Sequence, residues 1–112
     1  MLKKNNRLKK RYQFSYVYRA GKSFSGEFLT IYFCPSKTKD IKVGFTVTKK
    51  LGHAHIRNLI RRRLREIVYG EIPNLKQNFN LIVVAKESCL QASFESLKTE
   101  LDCLFQKADL KK

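Results

Sequence analysis

The segment 54–69 constrains the fold most strongly, because its apolar residues recur with the period of an α-helix. These residues are Ile56, Ile60, Leu64 and Ile67, with Val68 beside them. At about 100° per residue they fall within one narrow arc of a helix. A helix with a single apolar stripe buries that stripe against another element, so the segment predicts a folded domain around it. Gly70 and Pro73 predict the end of the helix.

Shorter patterns on either side of this helix predict the remaining elements. They indicate helices over 11–20, with Gly21 as the C-cap, and from Ser93 onward, and strands over 28–34, 41–48 and 79–85. A short polar turn at 36–40 joins the first two strands, so the sequence predicts that they pair as a hairpin. The order α-β-β-α-β-α predicts an α+β sandwich in which helices pack on a small mixed sheet.

Three of these elements have predictable faces. The core-facing residues of strand 41–48 are Ile41, Val43, Phe45 and Val47, and the alternation turns Gly44 outward. The core stripe of the last helix is Phe94, Leu97, Leu101 and Leu104. Strand 79–85 is apolar on both faces, which is typical of a central strand covered on two sides.

The charge of the chain restricts the kind of partner it binds. Its 112 residues include 24 Lys and Arg against nine Asp and Glu, a formal net charge of +15. This charge favours a polyanionic partner, with nucleic acid first and an anionic membrane surface second. Hydrophobic residues make up 43% of the chain, enough for one domain over 1–112. Within it we expect a basic N-terminal arm at 1–10 and a loose tail at 109–112.

Several classes of function are disfavoured by what the sequence contains. No apolar run is long enough for a membrane span or a signal peptide, so we expect a cytoplasmic protein. The cysteines at 34, 89 and 103 lack the spacing of a metal site, and we expect all three to be buried thiols. The carboxylates are scattered, and we interpret His53 and His55 as cap or RNA-contacting residues. The sequence therefore predicts no catalytic group and no metal site in the protein.

The polar face of the central helix is the sharpest functional signal. Its residues are Arg57, Asn58, Arg61, Arg62 and Arg65, in an arc of about 140° opposite the apolar stripe. Lys49 and Lys50 precede it, and no acidic residue lies between Lys49 and Arg65. An ordinary solvated helix face mixes both charges, which is the alternative interpretation. Because guanidinium groups bind phosphate through paired hydrogen bonds, the pattern favours phosphate binding.

Aromatic residues near the N-terminus give a second signal. Phe14 and Tyr18 share a face of the first helix and could stand beside Tyr32 of the first strand. Such rings stack on unpaired bases, although the spacing alone favours packing in the core. The basic arm at 1–10 and Arg11 add phosphate affinity that is independent of sequence.

Two stretches of the chain resemble the protein component of bacterial ribonuclease P. One is residues 48–66, in which Lys49-Lys50-Leu51-Gly52 runs into a helix that opens with Arg57-Asn58. The other is residues 7–21, with Phe14, Tyr18 and Gly21 at the family's positions. The resemblance implies a basic subunit of a ribonucleoprotein endoribonuclease whose catalytic RNA cuts the 5′ leader from precursor tRNA. It also implies Mg²⁺ held mainly by the RNA, no role for DNA or membrane, and a left-handed β-α-β crossover.

The resemblance assigns roles to individual residues. Residues that would contact the catalytic RNA are Lys49, Lys50, Arg57, Asn58, Arg61, Arg62 and Arg65, and those of a cleft for the leader are Phe14, Tyr18 and Tyr32. This chain departs from the family at Leu59, where the family has Arg, and at Arg63, where the family usually has an apolar residue. Our hypothesis is that Arg63 supplies the guanidinium that Leu59 lacks, since residues i and i+4 are neighbours.

Two other kinds of protein share part of this pattern. A small ribosomal-type structural protein would have the same charge and fold class, but it would not need an aromatic cleft for a single strand. A self-sufficient nuclease would need clustered carboxylates, which the sequence does not show.

Overall fold

The computed structural model describes residues 7–37 and 40–112, and within them helices cover both faces of a four-stranded sheet. The helices are α1 (Arg11–Ala20), α2 (Ala54–Glu71) and α3 (Phe94–Lys107). The strands are β1 (Lys22–Ser25), β2 (Leu29–Pro35), β3 (Lys42–Thr46) and β4 (Phe79–Ala85). Short 3₁₀ turns lie at Lys49–Leu51, Ile72–Asn74 and Glu87–Gln91. The predicted α+β class and the helix-on-sheet arrangement are confirmed.

The strand order is β1-β2-β4-β3. β4 pairs antiparallel with β2 and parallel with β3, so the chain passes from β3 through α2 to β4 as a β-α-β unit. The predicted hairpin between strands 28–34 and 41–48 is wrong, because β4 lies between β2 and β3. A strand that is apolar on both faces belongs at the centre of a sheet covered on two sides, and β4 takes that place.

The hairpin forms instead between β2 and β1, a strand that the sequence pattern did not reveal. Ser25 lies opposite Thr30 in this antiparallel pair, and their hydroxyl oxygens are 3.0 Å apart. All four residues of β1 are exposed. An edge strand without a buried face has no apolar alternation, and therefore no periodic signal in the sequence.

Each face of the sheet has its own core. The larger core, against α2 and α3, includes Leu29, Ile31, Phe33, Leu64, Ile67, Leu81, Val83, Leu97, Leu101 and Phe105. The smaller one, under α1, contains Leu8, Val17, Cys34 and Ile82. Gly44 is buried beneath Phe14 of α1, so its predicted solvent exposure is wrong. The alternation places Gly44 away from the larger core correctly, but α1 covers that second face.

Helix ends agree with the sequence except in their final turns. α1 and the start of α2 coincide with the prediction, and α2 continues through Gly70 to Glu71 before the 3₁₀ turn that contains Pro73. Ser93 caps α3, since its hydroxyl accepts a hydrogen bond from the Ser96 amide at 3.1 Å. Phe94 is 37% exposed, not buried as predicted. It lies one turn before Leu97, the first buried residue of the helix, so the angular pattern holds but the packed length is shorter.

The C-terminal residues are packed, and the prediction of a loose tail at 109–112 is wrong. Leu110 is fully buried, and its carbonyl accepts a hydrogen bond from the Lys76 amide at 2.7 Å. The Lys112 amide donates to the Asn74 carbonyl at 2.9 Å. Lys111 contacts the carboxylates of Glu71 and Asp102. One buried leucine and three polar anchors thus hold the end of the chain.

The basic arm is described from Arg7 onward, and Lys3 and Lys4 lie outside the described residues. The Leu8 amide donates to the Val43 carbonyl at 3.0 Å, which places this part of the arm along the free edge of β3. Among the residues that the structure describes, no helix combines the length and the apolarity that crossing a bilayer requires.

Candidate nucleic-acid interface

Four of the five arginines of α2 form one face of the helix, opposite the buried Ile60, Leu64 and Ile67. Arg57, Arg61 and Arg65 are half-buried, while Asn58 and Arg62 are exposed. The guanidinium of Arg61 is held in place, since it donates to Asn58 Oδ1 at 3.1 Å and to the Val47 carbonyl at 3.4 Å. The predicted arc of side chains is thus brought together. We call these five residues the arginine face.

Arg57 carries a buried donor that the protein leaves unused. Its Nε atom is inaccessible to solvent and has no hydrogen-bond acceptor among the described residues. An unsatisfied buried donor costs about 1–3 kcal/mol. Oxygen atoms of carboxylates and phosphates are the acceptors that guanidinium geometry matches best.

The two lysines ahead of α2 lie on the 3₁₀ turn Lys49–Leu51 and are exposed. Gly52 follows with a φ of 132°, a conformation in which any side chain would be strained. His53 is the N-cap residue of α2 by its backbone, but its side chain makes no capping bond. The rings of His53 and His55 lie parallel, with centroids 6.2 Å apart. This turn carries Lys49 and Lys50 to the positive end of the helix dipole.

The three predicted aromatic residues lie where α1 packs on the sheet; Tyr18 contacts Tyr32, and Phe14 lies over Gly44. The rings of Tyr18 and Tyr32 contact edge to face, with centroids 4.8 Å apart. The hydroxyl of Tyr18 lies 2.6 Å from that of Thr46 on β3. Phe14 and Tyr32 are half-buried against the smaller core, while Tyr18 is 38% exposed. We call Phe14, Tyr18 and Tyr32 the aromatic cleft. Two of its rings, those of Phe14 and Tyr32, pack on the smaller core, and that of Tyr18 reaches the surface.

The arginine face and the aromatic cleft adjoin. One depression of about 150 Å³ is lined by Phe14 and Gly44 on one side and by Arg61 and Arg65 on the other. Arg7, Leu8, Val43 and Phe45 complete its walls. Arg7 belongs to the basic arm for which phosphate affinity is predicted, whereas Phe45 and Thr46 were not among the predicted site residues. Gly44 was a detectable signal, since a glycine inside a strand marks a close approach of another group.

Arg63 lies one helical turn after Leu59, so the two residues are neighbours on α2, but their surroundings differ. Leu59 is 40% exposed and lines a shallow surface with His55, Asn58, Arg62 and Arg65. Arg63 is exposed, and its charge acts on the Cys89 thiol in the 3₁₀ turn Glu87–Gln91. Burial raises the pKa of Cys89, Glu100 raises it further, and Arg63 opposes both. Arg63 therefore lies outside the arginine face, on the side of α2 that faces that turn.

The remaining cysteines and the acidic groups form no reactive cluster in the described parts of the chain. Cys34 is buried, which raises the pKa of its thiol. Cys103 is exposed, so the prediction that all three cysteines are buried is wrong. It lies on α3 between the buried Leu101 and Leu104, at a position that turns toward solvent. No group of three or more His, Cys, Asp or Glu side chains within 7–37 and 40–112 could hold a metal ion.

The chain is similar to proteins of known family along almost its whole length. The family model described as Ribonuclease P matches residues 2–109. The ribonuclease P protein component of Bacillus pumilus is 36% identical over 108 residues, which cover 96% of this chain and 91% of that protein. The corresponding component of Caldanaerobacter subterraneus is 32% identical over 110 residues, covering 98% and 95%. Both alignments span nearly the whole of this chain.

Solved structures of RNase P proteins have the same fold as this chain. The RNase P protein of Staphylococcus aureus superposes with a TM-score of 0.88 at 26% identity, covering 96% of this chain and 98% of that one. The RNase P protein of Thermotoga maritima gives a TM-score of 0.80 at 25% identity, covering 89% and 96%. The three helices and the mixed four-stranded sheet are therefore the architecture of these proteins.

The fold and its cationic surface define a small, basic α+β protein of the nucleic-acid-binding class. Within that class, the chain belongs to the ribonuclease P protein family. Members of the family are subunits of a ribonucleoprotein endoribonuclease, so the partner of this chain in the complex is an RNA. The enzyme acts in 5′ maturation of tRNA.

Proposed function

We propose that this chain binds the catalytic RNA of ribonuclease P through the arginine face and the 5′ leader of precursor tRNA through the aromatic cleft. The observation that carries the proposal is the depression shared by Phe14, Arg61 and Arg65. A nucleotide whose base stacks on an aromatic ring needs a cation within reach of its phosphate. A surface that offers both within one depression suits an unpaired strand better than a duplex.

The arginine face suits the larger RNA. Four guanidinium groups and the two lysines of the preceding turn lie on one side of α2 and its N-terminal approach. None of these six cations forms an ion pair with a described acidic residue, since every such pair involves Lys76 or Lys111. They are therefore available to phosphates of a folded RNA.

The protein acts in this proposal by binding and orientation. The described residues do not fit a metal site, and we derive no step of the reaction through a metal ion on this chain. The Mg²⁺ ions of the reaction are held mainly by the RNA subunit. Holding the leader beside the arginine face fixes the substrate relative to the catalytic RNA, which is a positioning contribution to rate. The proposed setting is the cytoplasm, with no role for DNA or membrane.

The test is cleavage of precursor tRNA at low magnesium by a bacterial ribonuclease P RNA, with and without the full chain. We expect stimulation by the protein. Replacing Tyr18 with Ala should reduce it on substrates with a leader, because a stacking surface worth about 1–3 kcal/mol per base is removed. Tyr18→Phe keeps the ring and loses only the hydroxyl contact with Thr46, so it should retain most of the stimulation.

A substrate without a leader is the control, and on it Tyr18→Ala and the unaltered protein should perform alike. Absence of stimulation with several ribonuclease P RNAs, together with tight RNA binding, would favour the ribosomal-type structural role. Cleavage by the protein in the absence of any RNA subunit would contradict the assignment of catalysis to the RNA.

A further inference from the structure

The outward side of α1 carries two exposed tyrosines that the cleft does not use. Tyr12 is 67% exposed and Tyr16 is 49% exposed. Arg19, also exposed, follows at the next turn of the same side. These residues stand at i, i+4 and i+7, so they form one stripe along the helix. We call Tyr12, Tyr16 and Arg19 the outer tyrosine face.

This stripe points away from the aromatic cleft. Phe14, Val17 and Tyr18 turn toward the sheet, where Val17 is fully buried. At about 100° per residue, Tyr12 and Tyr16 lie roughly 160° from Phe14 on the helix. One helix of ten residues therefore separates two aromatic surfaces, one beneath it and one above it.

The outer tyrosines have no aromatic or hydrogen-bonding partner among the described residues. Neither ring contacts another aromatic ring, and neither hydroxyl forms a hydrogen bond with a described residue. The Cβ atoms of residues i and i+4 lie about 5–6 Å apart, so the two exposed side chains start from neighbouring points on the helix surface. Exposed large aromatic side chains on one helix face, without a protein partner, mark a surface suited to binding.

The charge around the stripe selects the kind of partner. The first 26 residues contain no Asp or Glu, and the first acidic residue is Glu27. Lys9, Lys10 and Arg11 precede Tyr12, and each is exposed. Tyrosines among cations, without a counter-charge, match an unpaired nucleic-acid strand, in which bases stack and phosphates bind Lys or Arg.

We propose that the outer tyrosine face binds the upstream part of the precursor-tRNA leader, beyond the nucleotides held in the aromatic cleft. The inference rests on the leader-binding role proposed above. The leader is the favoured occupant because the two surfaces belong to the same short helix, so a strand leaving the cleft meets the other side of α1. The RNA subunit is assigned to α2, which packs on the opposite face of the sheet.

The experiment measures the affinity of the reconstituted holoenzyme for two precursor tRNAs. One carries a leader of a few nucleotides and the other a leader about ten nucleotides longer, within the span of known single-strand sites. Replacing both Tyr12 and Tyr16 with Ala should weaken binding of the long-leader substrate about fivefold or more, the equivalent of one lost stacking contact. Binding of the short-leader substrate should not change.

Matched variants separate stacking from other effects. The double replacement by Phe keeps both rings and should restore long-leader affinity. Phe94→Ala removes an exposed aromatic side chain from α3, across the sheet, and should leave both affinities unchanged. Alanine favours helix more than tyrosine does, so the double Ala variant keeps α1 folded, which circular dichroism checks. The chain contains no tryptophan, so Tyr16→Trp adds a unique fluorophore whose emission should be quenched by the long leader alone.

Three results would overturn the inference. The first is that the double Ala variant and the unaltered protein bind the long-leader substrate with equal affinity. An equal loss on both leaders is the second, because it would place the contact on the RNA subunit or the tRNA body. A fall in self-association on sedimentation, with long-leader affinity unchanged, would make the stripe a contact between copies of the chain. Tyr18→Ala reports separately on the cleft, since it should weaken binding of both leaders.

Discussion

At residue 44 the absence of a side chain decides how closely α1 approaches the sheet. Two ring atoms of Phe14 lie 2.5 Å from the place where a Cβ of residue 44 would be, closer than real Cβ contacts allow. Any other residue at Gly44 would push the ring outward and alter the depression that Phe14 shares with Arg61 and Arg65. A single glycine thus sets the geometry of the aromatic cleft.

Replacing Arg63 tests whether its guanidinium takes the place of the one that is missing at Leu59. The exchange hypothesis predicts that Arg63→Ala weakens binding to a ribonuclease P RNA as much as Arg61→Ala, by about fivefold for roughly 1 kcal/mol of lost hydrogen bonding. Filter binding or fluorescence anisotropy would measure both. Lys98→Ala removes one exposed positive charge from α3 and serves as the control. An affinity equal to that of the control would refute the exchange, and would match the position of Arg63 beside the Glu87–Gln91 turn.

At the scale of elements, one carboxylate joins α3 to the turn between β1 and β2. Glu100 accepts hydrogen bonds from the backbone amides of Glu27, Phe28 and Leu29 at 2.6, 2.9 and 2.7 Å. Lys86 and Ser88 hold the same turn, by donating to the carbonyls of Gly26 and Glu27. An edge hairpin with four exposed residues has little burial of its own, so these bonds hold β1 in register with β2.

Glu100→Gln should therefore lower the free energy of unfolding by about 2 kcal/mol, because an amide offers one acceptor oxygen to three donors. Urea unfolding followed by circular dichroism measures the change. Glu66→Gln is the matched control, since Glu66 is exposed on α2 and forms no ion pair with a described residue. Its effect should stay within about 0.5 kcal/mol. Equal effects of the two variants would show that the turn does not depend on the carboxylate.

For the whole molecule, the placement of acidic residues matters as much as the excess of basic ones. Glu71, Asp102 and Asp109 form ion pairs with Lys76 or Lys111. Glu100 accepts hydrogen bonds from backbone amides. The arginine face and α1 keep their cations unpaired by described residues. The surfaces proposed for RNA therefore carry positive charge that no described acidic residue neutralises.

Binding of the RNA subunit should therefore depend steeply on salt. If about six phosphates are neutralised, log K should fall with a slope of about −5 against log salt concentration. Arg62→Ala should make this slope shallower by about one unit, while Lys98→Ala should leave it unchanged. The affinity is measured across a series of monovalent salt concentrations at fixed magnesium. A flat dependence would contradict phosphate binding by the arginine face.

The sequence by itself determined the elements whose residues carry a period. The stripe of Ile60, Leu64 and Ile67 predicts α2, and the same period fixes the arginine face on its other side. Alternation likewise predicts β2 and β3, since a half-buried strand must send successive side chains to opposite faces. These features follow from local geometry, and the structure confirms them.

Tertiary structure alone decided which elements meet. The apolar run 79–85 predicts a central strand, but its neighbours β2 and β3 are set by pairing between segments distant in the chain, which no local pattern encodes. The exposed β1, the buried Gly44, the packed residues 109–112 and the exposed Phe94 all depend on what lies across from them. The same holds for the shared depression. Phe14 and Arg61 meet around the edge strand β3, which requires α1 on one face of the sheet and α2 on the other.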